Sequence, residues 1–246
     1  MLGIIDWGIG GIGIYKLVKE QMPDTGVLYF SDTGATPYGK MKRRELAARV
    51  DAVIEFLKEN GMTRLVIGCN AASTSIPDLR NHGIPIVGVI EPAVEMAARF
   101  QPERLGVIGG RRTILSGVYR SIFAERGIVI EQRIAQPLSA LIESGDLSSS
   151  KLQEEARRIL KPIRNCSHIL LACTHYPAIR PVLENYVSDR TKFINPAAAV
   201  VKKLRNIKGT TGVGDRFFTT GDPKKMKRSA NLAFEVDLVA AKKVSI

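Results

Sequence analysis

Apolar runs rich in β-branched residues alternate along the chain with segments whose apolar positions recur at helical spacing. The runs 2–5, 27–30, 64–67, 84–89, 105–108, 129–134, 168–172, 192–194 and 216–219 predict strands. Most are continuously apolar, the pattern of strands buried on both faces. Between them, 43–59 places Leu46, Val50, Val53, Ile54 and Leu57 on one stripe and predicts a helix stopped at Asn60-Gly61. The stretch 149–163 predicts another, opened by Ser149 or Ser150. Strand–helix alternation over the whole length predicts an α/β fold with mostly parallel sheets.

Two segments share one design. "TRLVIGCNAAST" and "SHILLACTHYPA" are each an apolar strand that runs into Cys, then polar residues, then a helix-like stretch. Their cysteines, Cys69 and Cys173, are 104 positions apart. In open parallel sheets, functional groups gather at the carboxyl ends of strands. The repeat therefore predicts two similar halves that each present one cysteine to a shared cleft, with a boundary near Pro92.

Composition narrows the setting. At 246 residues the chain can bury one large core or two small ones. It has 45% hydrophobic and 24% charged residues, as in ordinary globular domains. It lacks the long apolar run of a membrane span and the pattern of a secretory signal. Three cysteines, Cys69, Cys166 and Cys173, make no disulfide framework, so a reducing cytoplasm is expected. Cys166 has no companion motif and reads as a small buried hydrophobe. The net charge of +12 is concentrated in the tail, where 201–246 carries 11 Lys and Arg against four Asp and Glu. No basic stripe interleaved with aromatics accompanies it, so a solvated basic face is expected rather than a nucleic-acid or membrane surface.

"DWGIGGIG" contains G-x-G-x-x-G at Gly8, Gly10 and Gly13. A nicotinamide-dinucleotide site is one reading, with Asp32 at the end of the next strand as the ribose-binding acid. Asp6 and Trp7, directly before the first glycine, disfavour a pyrophosphate there. The second reading is a carboxylate-binding turn that leaves Asp6 free to work on a substrate.

Taken together, "IIDWGIGGIG", "YFSDTGATPYGK", "IGCNAAST", "VIEPAV", "LGVIGGRRTILSGVY", "QPLSALIESG", "LLACTHYP" and "FFTTGDP" resemble the aspartate/glutamate racemase family. They occur in family order and cover nearly the whole chain. The resemblance implies two pseudo-symmetric, doubly wound α/β domains, residues 1–92 with 210–246 and residues 93–209, with the active site in the cleft between them. It implies an amino-acid substrate, no cofactor, no metal, no nucleic-acid or membrane partner, and often a homodimer.

The implied reaction explains the two thiols. Inverting Cα means removing its proton on one face and returning one on the other, which two bases accomplish without moving the substrate. The resemblance assigns Cys69 and Cys173 to these roles, with Asp6 beside the first and His175 beside the second. Glu143 matches an acidic position that supports either His175 or the substrate-binding site. Trp7, Pro37, Tyr38, Gly39, Asn70, Ala71, Thr113 and Thr174 match substrate-binding positions. By the residues alone, Asp6 and Thr113 also fit helix caps, Asp32 a cap or a salt bridge, Glu143 a solvated acid and Tyr38 a packed turn residue. No second ligand pair is spaced to make Cys173 and His175 a zinc site.

Four positions depart from the family pattern: Trp7 for Ser, Ala71 for Thr, Gly110 for Thr and Asn195 for Asp. Trp7 either narrows the pocket, favouring aspartate over glutamate, or turns into the core. The expected activity is racemisation of glutamate first and aspartate second. A non-catalytic amino-acid-binding relative, a nicotinamide-dependent oxidoreductase, a hydantoin racemase and a maleate-isomerase-like enzyme are the alternatives.

Overall fold

The computed structural model describes residues 1–205, 207 and 214–246. Its strands in chain order are β1 (Leu2–Asp6), β2 (Val27–Ser31), β3 (Arg64–Ile67), β4 (Ile86–Gly88), β5 (Leu105–Gly109), β6 (Ile130–Ile134), β7 (His168–Ala172), β8 (Lys192–Ile194), β9 (Arg216–Thr219) and β10 (Ala241–Lys243). They form a six-stranded sheet, ordered β10-β9-β2-β1-β3-β4, and a four-stranded sheet, ordered β6-β5-β7-β8. Every pairing is parallel.

Both sheets are covered on both faces, which is why their strands read as unbroken apolar runs. Alternation along β1 sends Ile4 into one core with Val18, Val66 and Val200, and Ile5 into another with Leu28, Val50 and Ile54. In the smaller sheet, Ile108 and Leu171 pack beneath Ile142 and Ile159 on one face. Val107 and Leu170 meet Ala93 and Tyr119 on the other.

Local signals set the helix limits. The Arg43–Glu59 helix ends at Asn60, followed by Gly61 at φ +92°, a left-handed conformation that favours glycine. Ser149 caps the Ser150–Leu160 helix by accepting from the Leu152 amide at 3.2 Å. The predicted extension to residue 163 becomes a separate 3-10 turn, Lys161–Ile163, because Pro162 offers no amide to continue the α-helix.

Pro92 lies in the Ile90–Arg99 helix, whose buried face packs against the smaller sheet. The Ala197–Arg205 helix sends Val200, Val201 and Leu204 into the core of the larger one. The expected turning point near 209–210 lies outside the described residues. Beyond it, β9 pairs with β2, so the C-terminal strands complete the first sheet. Among the described residues, no helix is long and apolar enough to cross a membrane.

Candidate active site

Four strands end at one place. β1 ends in Asp6; Cys69 follows β3 by two residues, Gly110 follows β5, and Cys173 follows β7. These are carboxyl ends of parallel strands, two from each sheet. Cys69 and Cys173 line the same cavity of about 410 Å³, with Asp6, Thr174 and His175 in its wall. Among the described residues, no group of three or more His, Cys, Asp or Glu is placed to hold a metal ion.

A network of short hydrogen bonds ties the strand ends together. Thr174 Oγ1 donates to Asp6 Oδ2 at 2.8 Å. His175 Nδ1 lies 3.8 Å from the Cys173 sulfur, while its Nε2 lies 2.7 Å from Glu143 Oε2. Burial opposes the His175 cation, yet hydrogen bonds to Cys173 and Glu143, with their charges, hold its pKa well above the ordinary imidazole value. Around Cys69, burial comes first and the Asp6 charge second, and both push the thiol pKa well above its usual range. Backbone amides of Ala72 and Ala71 pull the other way without reversing the direction.

The glycine turn belongs to this network. The Ile9 amide donates to Glu143 Oε2 at 2.9 Å. A Cβ on Gly8 would strike the Glu143 carboxylate, and one on Gly10 would strike Thr174 Oγ1, His175 Nδ1 and Asp6 Oδ2. The turn does bind a carboxylate, but it is the protein's own, and a pyrophosphate has no room there. Asp32, the candidate ribose acid, is fully buried and takes a two-point contact from Arg49 at 2.7 and 2.8 Å. It also accepts from Tyr38 and Thr220. Both observations count against the dinucleotide reading.

Trp7, Pro37, Tyr38, Gly39 and Ala71 line the cavity. Trp7 forms part of the cavity wall, packs against the core that holds Ile5 and Leu28, and donates Nε1 to the Ala35 carbonyl at 3.2 Å. Glu143, Asn70 and Thr113 are buried behind the lining. Asn70 Oδ1 accepts from Tyr119 at 2.7 Å, and its Nδ2 has no hydrogen-bond partner among the described residues. Thr113 lies in the short Arg111–Leu115 helix, where the Arg111 amide donates to Gln136 Oε1 at 3.0 Å.

Three cations in the wall were not anticipated: Lys40, Arg111 and Arg112. In sequence, "GRRT" is indistinguishable from a solvated basic turn. Arg112 is half-buried and donates Nε to the Tyr38 carbonyl at 3.0 Å, a contact between two segments that line the cavity. Burial draws its pKa below the ordinary guanidinium value, and the charge of nearby Cys69 acts against that shift.

The profile of the Asp/Glu/hydantoin racemase family matches residues 2–204. The chain belongs to that family. Like other members of the Asp/Glu/hydantoin racemase family with amino-acid substrates, it is an amino-acid racemase, an isomerase. It is 32% identical over 244 residues to a glutamate racemase of Pseudomonas putida, covering 92% of this chain and 91% of that one. It is 30% identical over 249 residues to a glutamate racemase of Aquifex aeolicus, covering 99% and 95%. The fold matches glutamate racemase isoform RacE1 from Bacillus anthracis with a TM-score of 0.89 at 24% identity, over 100% of this chain and 97% of that one. An aspartate racemase from Picrophilus torridus shares the fold less closely, with a TM-score of 0.62 at 16% identity over 83% and 92%.

Proposed function

We propose that the protein inverts Cα of an acidic amino acid, glutamate first and aspartate second, with Cys69 and Cys173 as the two bases and no cofactor. The observation that carries this reading is that both cysteines line one cavity, each beside its own ionisable neighbour. One sulfur removes the α-proton as a thiolate while the other, as a thiol, returns a proton to the opposite face. The pair exchanges roles with the direction of reaction. His175, 3.8 Å from Cys173, is placed to exchange a proton with that sulfur or with the substrate amine. Asp6 faces the amino group, and the buried Asn70 Nδ2 is the free donor for the α-carboxylate.

The acidic substrate follows from charge. Lys40, Arg111 and Arg112 line the cavity, whereas Asp6 is its sole lining carboxylate among the described residues. Glutamate is placed first because the relatives from Pseudomonas putida and Aquifex aeolicus are named glutamate racemases. D-glutamate as product would supply peptidoglycan synthesis. The proposal includes a cytoplasmic setting, a homodimer, and two lobes, 1–92 with 210–246 and 93–209, built on the two sheets. The Ala197–Arg205 helix reaches from the second lobe onto the first.

The test incubates the protein with each enantiomer of glutamate and aspartate in deuterated water without pyridoxal phosphate. Inversion accompanied by one deuterium at Cα is expected. Failure to invert any of the four overturns the reading.

A further inference from the structure

Several arginines elsewhere are neutralised by carboxylates: Arg43 by Asp78, Arg49 by Asp32 and Arg104 by Glu131. Buried Arg64 is satisfied instead by the carbonyls of Leu204 and Ile207. Arg112 has a different setting. It is half-buried in the cavity wall, its Nε is fixed on the Tyr38 carbonyl, and among the described residues it has no ion-pair partner. A guanidinium that has given up part of its water and gained no anion is an unmet demand. Its remaining N–H groups form a planar fork, the donor geometry that matches a carboxylate at two points.

Position decides which carboxylate. Asp6, Thr174 and His175 gather around Gly10, with Thr174 donating to Asp6 and His175 beside Cys173. Asp6 makes that part suitable for the substrate ammonium group. Tyr38, Gly39 and Lys40 form another part of the wall, and Arg112 is anchored there. A substrate whose Cα lies between the cysteines and whose amine faces Asp6 extends its side chain toward this cationic part.

We propose that Arg112 is the specificity-determining contact for the side-chain carboxylate of the substrate. The assignment rests on the acidic-amino-acid racemase reading. Arg112 compensates for the hydroxyl groups absent at Trp7, Ala71 and Gly110 by replacing several neutral donors with one charged fork. Its Nε contact with Tyr38 keeps the fork aimed inward. Arg111 and Lys40 are exposed, so solvent screens their attraction more strongly.

The test compares wild type, Arg112→Gln and Arg112→Lys with the acidic enantiomer that wild type inverts best, and follows melting temperature alongside. Loss of a two-point charged contact predicts a KM raised about ten- to a hundredfold in Arg112→Gln, with kcat reduced far less. Arg112→Lys, which keeps the charge but not the fork, should fall between the two. An unchanged KM, or equal losses in both variants, overturns the assignment. So does a loss confined to kcat. If wild type inverts neither glutamate nor aspartate, the underlying reading fails, and the Arg112 assignment falls with it. If wild type inverts one of them and only the Arg112 pattern is missing, the racemase reading stands.

Discussion

Glu143 Oε2 stands 2.7 Å from His175 Nε2 while also accepting the Ile9 amide at 2.9 Å. One oxygen thus joins the histidine that follows β7 to the glycine turn that follows β1, with Glu143 and Ile9 134 positions apart in sequence. Both partners are buried, so little solvent screening weakens the pair.

Replacing Glu143 by Gln keeps an oxygen for the Ile9 amide and removes the charge that favours the His175 cation. His175 should then titrate at lower pH, visible by NMR of the ring protons. Stability should follow. A raised folded pKa stabilises most fully below the unfolded value of about 6.5, and the gain fades as pH rises through the folded value. The wild-type advantage over Glu143→Gln should therefore be largest near pH 6 and shrink at alkaline pH. An advantage that grows with pH, measured by denaturant unfolding, would contradict this.

Cys69 and Asp6 give a second titration. Burial and the Asp6 charge raise the Cys69 thiol, so peptide-resolved alkylation should show its reactivity rising above the ordinary thiol midpoint of about 8.5. Asp6→Asn removes the like charge and should bring that midpoint down. A midpoint unmoved by the substitution would leave burial as the whole cause.

The two cavity sulfurs should separate cleanly from the third. Cys69→Ser and Cys173→Ser should each lower inversion of the substrate by about a hundred- to ten-thousandfold, the cost of removing a general acid or base. Cys166 is buried in the second core, outside the cavity, so Cys166→Ser should alter stability modestly and leave turnover per folded molecule unchanged. Activity surviving in either strand-end variant would remove that sulfur from the chemistry.

The paired strand–Cys segments were legible because each combines a local apolar run with a reactive residue at its carboxyl end. The parallel sheets were legible for the same reason: Ile4, Ile5, Val66 and Leu170 are buried on whichever face they point to. What escaped the sequence depends on distant partners. Asp32 left a ribose contact, a cap and a salt bridge open because nothing local shows that Arg49 closes on it. Arg112 looked like surface charge because its lack of an anion emerges only when the walls meet. β10 is short, polar and at a sheet edge, with Lys242 and Lys243 exposed, so it carries no apolar signature. The glycine motif marks a close approach of backbone to an anion, but not which one: here the carboxylate it receives is Glu143, from far along the chain.

As at Gly8, the same turn leaves no room for a side chain at Gly10. A methyl group there meets Thr174, His175 and Asp6 together, all of them fixed by short hydrogen bonds. Gly10→Ala should cost about 1–3 kcal/mol by overpacking and suppress turnover beyond that loss of stability. Gly13→Ala meets only the Phe234 ring at 3.2 Å and should be milder on both counts. Equal effects in thermal melts and in turnover would argue against a specific role for the turn.

Trp7 offers the last test, because it is both wall and core. Its indole lines the cavity, packs with the larger core and donates to the Ala35 carbonyl. Trp7→Phe loses that hydrogen bond and part of the ring, a cost of about 0.5–1.5 kcal/mol for the bond, and should only slightly enlarge the cavity. Trp7→Ser removes most of the side chain. If the indole limits substrate length, this variant should raise the glutamate-to-aspartate ratio of kcat/KM by about tenfold or more, the scale on which one methylene is discriminated in a fitted pocket. Trp7→Phe should move the ratio in the same direction by less. A ratio that stays constant while stability falls would show that the indole serves the core and leaves substrate length to the rest of the wall.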